Sequence, residues 1–255
     1  MAVTHGKAKA IRRACFARKL PLNRGLTAAA RELPGHAFLT NPASQNVYLY
    51  LVDYVKHLSA SWWGRGIEDL RLLDWGCGRG HVTLLLREMG ADVTACDVAA
   101  GVAGPLVERA GQGVIALEHD YVLPFEGGRF DVVVSFGVLE HVASDIDSLG
   151  EIRRVLKDAG LLFCFYVPYF LSWTQRLMRL RGSTYHDRLY SKRRIGRLAE
   201  RAGFDILDIW HRQLLPKIRL RYPCYRIFES MDQFLTNYSL LKYLATNIEF
   251  VACKK

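Results

Sequence analysis

From about residue 70 onward, short apolar runs alternate with stretches of helical periodicity, and this alternation leaves few folds open to the chain. Runs that suit strands stand at Leu70–Trp75, Asp92–Cys96, Val114–Glu118, Phe130–Ser135 and Leu161–Val167, followed by Ile206–Trp210 and Ile248–Cys253. Helical stretches fall near Gly80–Glu88, Val102–Ala110, Asp145–Lys157 and Lys192–Ala202. Strands buried on both faces read as continuous apolar runs, so the pattern predicts an α/β domain with a mostly parallel sheet between two layers of helices. A further helix is expected over Pro42–Ser59, where Tyr48, Leu51, Val52, Val55 and Leu58 recur at spacings of three and four behind Asn41 as N-cap. Two stretches, 168–191 and 213–246, interrupt the alternation and are expected as insertions on the acceptor side of a ligand site.

Charge divides the chain unevenly. The net charge is +10, yet residues 1–31 hold eight basic side chains and no acid, leaving 27 basic and 25 acidic groups in the other 224 residues. The expectation is a flexible basic arm over 1–31 and one domain over 32–255. A nearly neutral body argues against a long phosphate-tracking groove, so nucleic acid is not the expected partner. The six cysteines are scattered without CxxC or zinc-type spacing, and read as reduced thiols with no metal site. No run of 18 apolar residues suits a membrane span. The expected location is cytoplasmic, with a membrane-peripheral alternative.

The densest signal is Leu72-Leu73-Asp74-Trp75-Gly76-Cys77-Gly78-Arg79-Gly80-His81, where the first strand turns into a helix. Glycines at alternate positions permit a sharp turn and close approach of a ligand to bare backbone. The following helix start offers N–H groups to a polar ligand. A dinucleotide fingerprint would place glycine at 81, where this chain has His81. Asp97, 23 residues after Asp74 and at the tip of the second strand, can accept from both ribose hydroxyls of an adenosine. Asp120, just past the third strand, can accept from an adenine amino group.

With these residues in view, the chain resembles the class I S-adenosylmethionine-dependent methyltransferases, of the broad group that includes the quinone-biosynthesis C-methyltransferases. The resemblance continues through Leu123-Pro124-Phe125, the stretch from Phe130 through Glu140-His141-Val142, Arg154-Val155-Leu156-Lys157 with Gly160, and Ala202-Gly203-Phe204. The family's Pro-Gly-Gly turn is Asp158-Ala159-Gly160 here. The resemblance implies a Rossmann-like sheet of seven strands, the last antiparallel, with S-adenosyl-L-methionine as cofactor. Asp74, Gly76, Cys77, Gly78 and Gly80 would form the methionine-side loop. Asp97 and Val98 would hold the ribose, Asp120 and Tyr121 would meet the adenine, and Phe136 would lie near the sulfonium.

Methyl transfer to an acidic oxygen or carbon needs a base to take the acceptor's proton. His141 follows the fourth strand closely, and imidazole ordinarily titrates near neutrality, so it is the first candidate. Tyr166, Tyr169 and His186 are alternatives. The chain has Ser135-Phe136-Gly137-Val138 where exocyclic amino methylation of nucleobases uses Asn/Asp-Pro-Pro-aromatic, and no Pro-Cys pair appears there. A small-molecule or lipid-linked acceptor is therefore expected. The rival readings are an RNA or protein methyltransferase recruited by the arm, and a non-catalytic cofactor-binding module. Near 170–181, Phe170, Leu171, Trp173, Leu177, Met178 and Leu180 share one helical face opposite Gln175, Arg176 and Arg179. Such a face suits a lid helix packed on the core, the preferred reading, or a helix at a membrane surface. Lys217, Arg219, Arg221 and Arg226, interleaved with Tyr222, Tyr225 and Phe228, form a second basic aromatic stretch.

Overall fold

The computed structural model describes residues 5–18, 20–32, 37–98, 106, 113–182, 186, 188–215 and 224–255. Seven strands form one sheet: β1 Arg71–Trp75, β2 Asp92–Asp97, β3 Ile115–Ala116, β4 Phe130–Phe136, β5 Leu156–Pro168, β6 Phe204–Arg212 and β7 Asn247–Lys254. Their spatial order is β3-β2-β1-β4-β5-β7-β6. Pairings from β3 across to β5 are parallel, and β7 runs antiparallel to both β5 and β6. The described helices are α1 His5–Ala17, α2 Arg24–Glu32, α3 Pro42–Trp63, α4 His81–Glu88, α5 Asp145–Val155, α6 Trp173–Leu180, α7 Lys192–Arg201 and α8 Tyr225–Tyr238.

Alternation along the strands builds two cores, one on each face of the sheet. Leu72, Val132, Val134, Phe163 and Phe165 face a core shared with α1 to α4, whereas Leu73, Val133, Leu162 and Cys164 face one shared with α5 and α7. The sheet reverses direction of growth at β1, with β2 on one side and β4 on the other. A crevice therefore opens beyond the carboxyl ends of those two strands.

Local chemistry sets the element ends. Asn41 Oδ1 accepts from Ala43 N at 3.1 Å to start α3, and Gly64 closes it in the left-handed region with its N–H on Ala60 O. Helix α5 stops at Val155 rather than at Lys157, because Leu156 turns extended and pairs with Phe130. Only Leu106, helical and buried, represents the expected Val102–Ala110 helix; the rest lies outside the described residues, as do Lys217, Arg219, Arg221 and Tyr222.

Two expectations need correction. The basic arm is not a loose tail: α1 buries Ala8, Arg12, Cys15 and Phe16, and α2 buries Leu26, Ala29 and Ala30. Its basic residues hide an apolar and small-residue face. Arg12 itself enters the core, where its Nε meets Asp208 Oδ2 at 2.7 Å. Helix α6 is not a lid laid apolar face down. Leu177, Leu180 and the preceding Phe170 are exposed, and its one buried side chain is Gln175.

Candidate active site

The crevice is floored by the loop after β1. Gly76 N and Cys77 N both donate to Cys96 O, at 2.9 and 3.1 Å, which pins the loop onto β2. Gly76 has φ +70°, and a Cβ there would lie 2.4 Å from a Val138 methyl, so glycine is needed for both backbone and space. Gly78 has φ +51° with open space where a Cβ would stand, so the loop shows bare backbone to the crevice. Gly80 precedes α4 as its N-cap. The Asp74 carboxyl is buried below the loop, accepts from Thr83 Oγ1 at 2.6 Å, and is pushed by burial up to about 7. Asp97, at the end of β2, accepts from Gly78 N at 2.8 Å. Asp120 accepts from Ala143 N at 2.7 Å, which ties the turn after β3 to the one after β4.

These residues surround a cavity of about 290 Å³. Gly76, Gly78, Asp97, Val98, Asp120, Phe136 and His141 all line it. Asp74 and Cys77 lie on the wall of an adjoining cavity of about 310 Å³, reached across the same loop. Gly80 and Tyr121 line neither; the Tyr121 ring stacks on His119 at 5.4 Å instead. Gly76, Gly78, Phe136, Gly137 and His141 border both cavities. The two spaces therefore meet at the carboxyl end of β4.

The second cavity is walled by Tyr166 and His186, both acceptor-side candidates from the sequence, and by Tyr48 and Gln213, which the sequence does not single out for the site. Tyr48 of α3, expected among core positions, stacks on Tyr166 at 5.5 Å and meets His81 edge-on at 4.4 Å. Tyr166 and Gln213 both hold positive φ, +61° and +60°, and both line the cavity. Tyr166 sits where the β5–β7 register breaks, between Cys164 and Val167, which turns its ring inward. Tyr169, by contrast, packs its ring on His211 and lines neither cavity.

Glu140 is the residue most easily passed over in sequence. It is 1% exposed, and its Oε1 lies 3.8 Å from His141 Nε2 and 3.5 Å from His186 Nδ1. Burial pushes its carboxyl up to about 7. The neighbouring His141 stands out in sequence by its chemistry, whereas only burial distinguishes Glu140. One donor atom from each of these three residues lies within 4.8 Å of the others. A divalent cation could be held by all three after a modest contraction, in a site where sequence reasoning expects no metal.

A family profile described as a methyltransferase domain matches residues 41–209. The chain belongs to this methyltransferase family. Similar curated proteins include ubiquinone biosynthesis O-methyltransferases from Roseobacter denitrificans and Cereibacter sphaeroides. The first is 38% identical over 101 residues, covering 38% of this chain and 41% of the relative. The second is 33% identical over 123 residues, covering 44% and 50%. The chain thus spans about half the length of these relatives or less. Among solved structures, a SAM-dependent methyltransferase from Methanosarcina mazei has a TM-score of 0.54 at 19% identity, covering 73% of this chain and 93% of the other. The cyclase SpnF has a TM-score of 0.51 at 19% identity, covering 78% and 79%. These likenesses show the fold, which hosts more than one chemistry.

Family and fold imply S-adenosyl-L-methionine as the cofactor of this methyltransferase domain. The residues fit it. Two carboxylates, Asp97 and Asp120, border a cavity with bare glycine backbone and the Phe136 ring, a lining suited to a ligand rich in hydroxyl and amino donors.

Proposed function

We propose that this chain is an S-adenosylmethionine-dependent O-methyltransferase acting on a small, quinone-like or lipid-linked acceptor. The observation that carries the reading is the junction of the two cavities at Phe136, Gly137 and His141, with the Glu140–His141–His186 cluster on the acceptor side. When bound, the cofactor supplies an activated methyl group on a sulfonium. In this reading Asp97 with Val98 holds the ribose end, Asp120 the adenine end, and the 76–78 backbone the methionine end. Tyr48, Tyr166 and Phe136 form an aromatic wall that excludes water and orients a flat acceptor ring. His141 takes the proton from the acceptor hydroxyl as the oxygen attacks, and Glu140 with His186 positions the imidazole and stabilises the imidazolium. The names of the curated relatives support oxygen as the methylated atom. The exposed Phe170, Leu177 and Leu180 support a peripheral membrane contact through 170–181, which would present a lipid-linked acceptor to the site.

The test is transfer of labelled methyl to a panel of hydroxylated quinols with and without an isoprenoid tail. Turnover on these acceptors, with at least a hundredfold loss of kcat in His141→Ala and a far smaller change in cofactor affinity, is the expected result. Cofactor binding without turnover on any member would reject the enzyme reading in favour of a binding module. Loss of turnover on chelation, restored by a divalent cation, would assign the cluster to a metal instead of to proton transfer.

A further inference from the structure

Helix α8 is built inside out. Its buried side chains are polar: Glu229, Asp232 and Thr236. Asp232 Oδ1 accepts from both Leu214 N and Leu215 N at 2.8 Å, and Thr236 Oγ1 donates to Asp232 O, so carboxylate-to-backbone bonds hold the helix down. The opposite face is apolar. Ile227, Met231, Phe234 and Tyr238 recur at spacings of four, three and four, with Ile227 68%, Phe234 61% and Tyr238 65% exposed. The 3-10 turn Leu240–Leu244 continues the surface with Leu240 80% exposed. A soluble helix ordinarily turns such a stripe inward, and a continuous outward stripe marks a contact surface.

Charge indicates what covers it. Helix α1 lies across a cleft of about 380 Å³ from α8 and contains no acid. Arg13 stands over the Tyr238 ring at 5.4 Å, and Lys242 over the Tyr243 ring at 5.2 Å. Arg226 adds a further cation at the start of α8. The only acids in residues 225–244, Glu229 and Asp232, are both turned inward. The surface is thus apolar in its middle and cationic at its rim. A second copy docked by two-fold symmetry would set this cationic rim against another like itself. An anionic lipid surface meets both halves at once, with apolar side chains among the acyl chains and arginine and lysine at the headgroups.

We propose that α8 and the 240–244 turn, flanked by the basic face of α1, dock this chain onto an anionic membrane surface. The inference goes beyond the acceptor reading and does not depend on it, because vesicle binding requires neither cofactor nor acceptor. It also supplies a task for the basic N-terminal residues, which the candidate site does not use.

The experiment is flotation of the full chain with phosphatidylcholine vesicles, with or without phosphatidylglycerol. The chain is expected to float with the anionic vesicles, less so at high salt, and not with the neutral ones. Ile227→Asp with Phe234→Asp should lower partitioning about tenfold or more, as should Arg13→Glu with Lys242→Glu. Circular dichroism and cofactor affinity should stay as in the parent chain, because none of these four positions borders the candidate site. Absence of flotation overturns the proposal. So does equal flotation of the Ile227/Phe234 variant, which would leave adsorption to another surface. Self-association without vesicle binding, abolished in that variant, would assign the face to a second copy, and capture only by an acidic protein would assign it to a protein partner.

Discussion

Asp97 carries two tasks on one carboxylate. Its Oδ2 accepts from Gly78 N, so it fixes the loop and, in the proposed reading, also meets the ribose. Charge-assisted hydrogen bonds of this kind are worth about 1–3 kcal/mol. Asp97→Ala is therefore expected to weaken cofactor binding by about that amount in calorimetry. A parent-like affinity would remove the ribose assignment. The two neighbouring glycines separate backbone strain from crowding. Gly76→Ala meets Val138 as well as positive φ, and should lose both stability and cofactor binding. Gly78→Ala has room and faces only the φ penalty, of order 1 kcal/mol. Chemical denaturation of the two variants should rank them in that order.

At the scale of elements, α1 is held by a buried ion pair as much as by packing. Arg12 and Asp208 are each about 3% exposed, and the guanidinium also covers Trp210 at 4.4 Å. Removing one partner strands the other charge in the core, so Arg12→Leu should destabilise the chain by about 3–5 kcal/mol in urea titration. Arg12→Leu with Asp208→Leu should recover much of that loss, because neither charge then remains. If the single variant matched the parent, α1 would not be fastened to β6 in the way described. The sequence reading failed at this element for a plain reason. Eight basic residues without an acid look like a solvated tail, and nothing local shows that Ala8, Cys15 and Phe16 share a face with somewhere to pack. Helices α6 and α8 differ in the same way. Periodicity identifies the apolar stripe of α6, and the helix α8 with its own stripe emerges only in the structure; in neither case does the local pattern say which face the sheet receives.

For the whole molecule, pH enters through Asp74. Its carboxyl is raised from 3.8 to about 7 because burial penalises the ionised form, against the hydrogen bond from Thr83. A raised carboxyl favours the folded state while it remains protonated. That contribution is complete below the unfolded value, and is lost as pH rises from about 4 through about 7. The cofactor-free chain should therefore lose stability across that window, and Asp74→Asn should flatten the profile by an amount on the order of a few kcal/mol. Thermal melts between pH 5 and 8, run without cofactor, check this; parallel profiles for parent and variant would show that Asp74 is ionised throughout.

The strand and helix runs along the chain and the glycine turn follow from local signals, whereas the spatial order of the strands is decided only by the tertiary structure. Apolar runs suit buried strands, helical periodicity fills the intervals, and the turn after β1, with its left-handed positions, calls for glycine at 76, 78 and 80. Those signals act between near neighbours, so they survive in a bare string of letters. The meeting of Tyr48, Glu140, Tyr166, His186 and Gln213 around one cavity does not, since it joins α3, the loop after β4, β5, an insertion and the residue after β6 across more than 160 positions. Nor does the orientation of α1, α6 and α8. Which side of an amphipathic helix is buried depends on the surface opposite it, and that surface exists only once the chain has closed on itself.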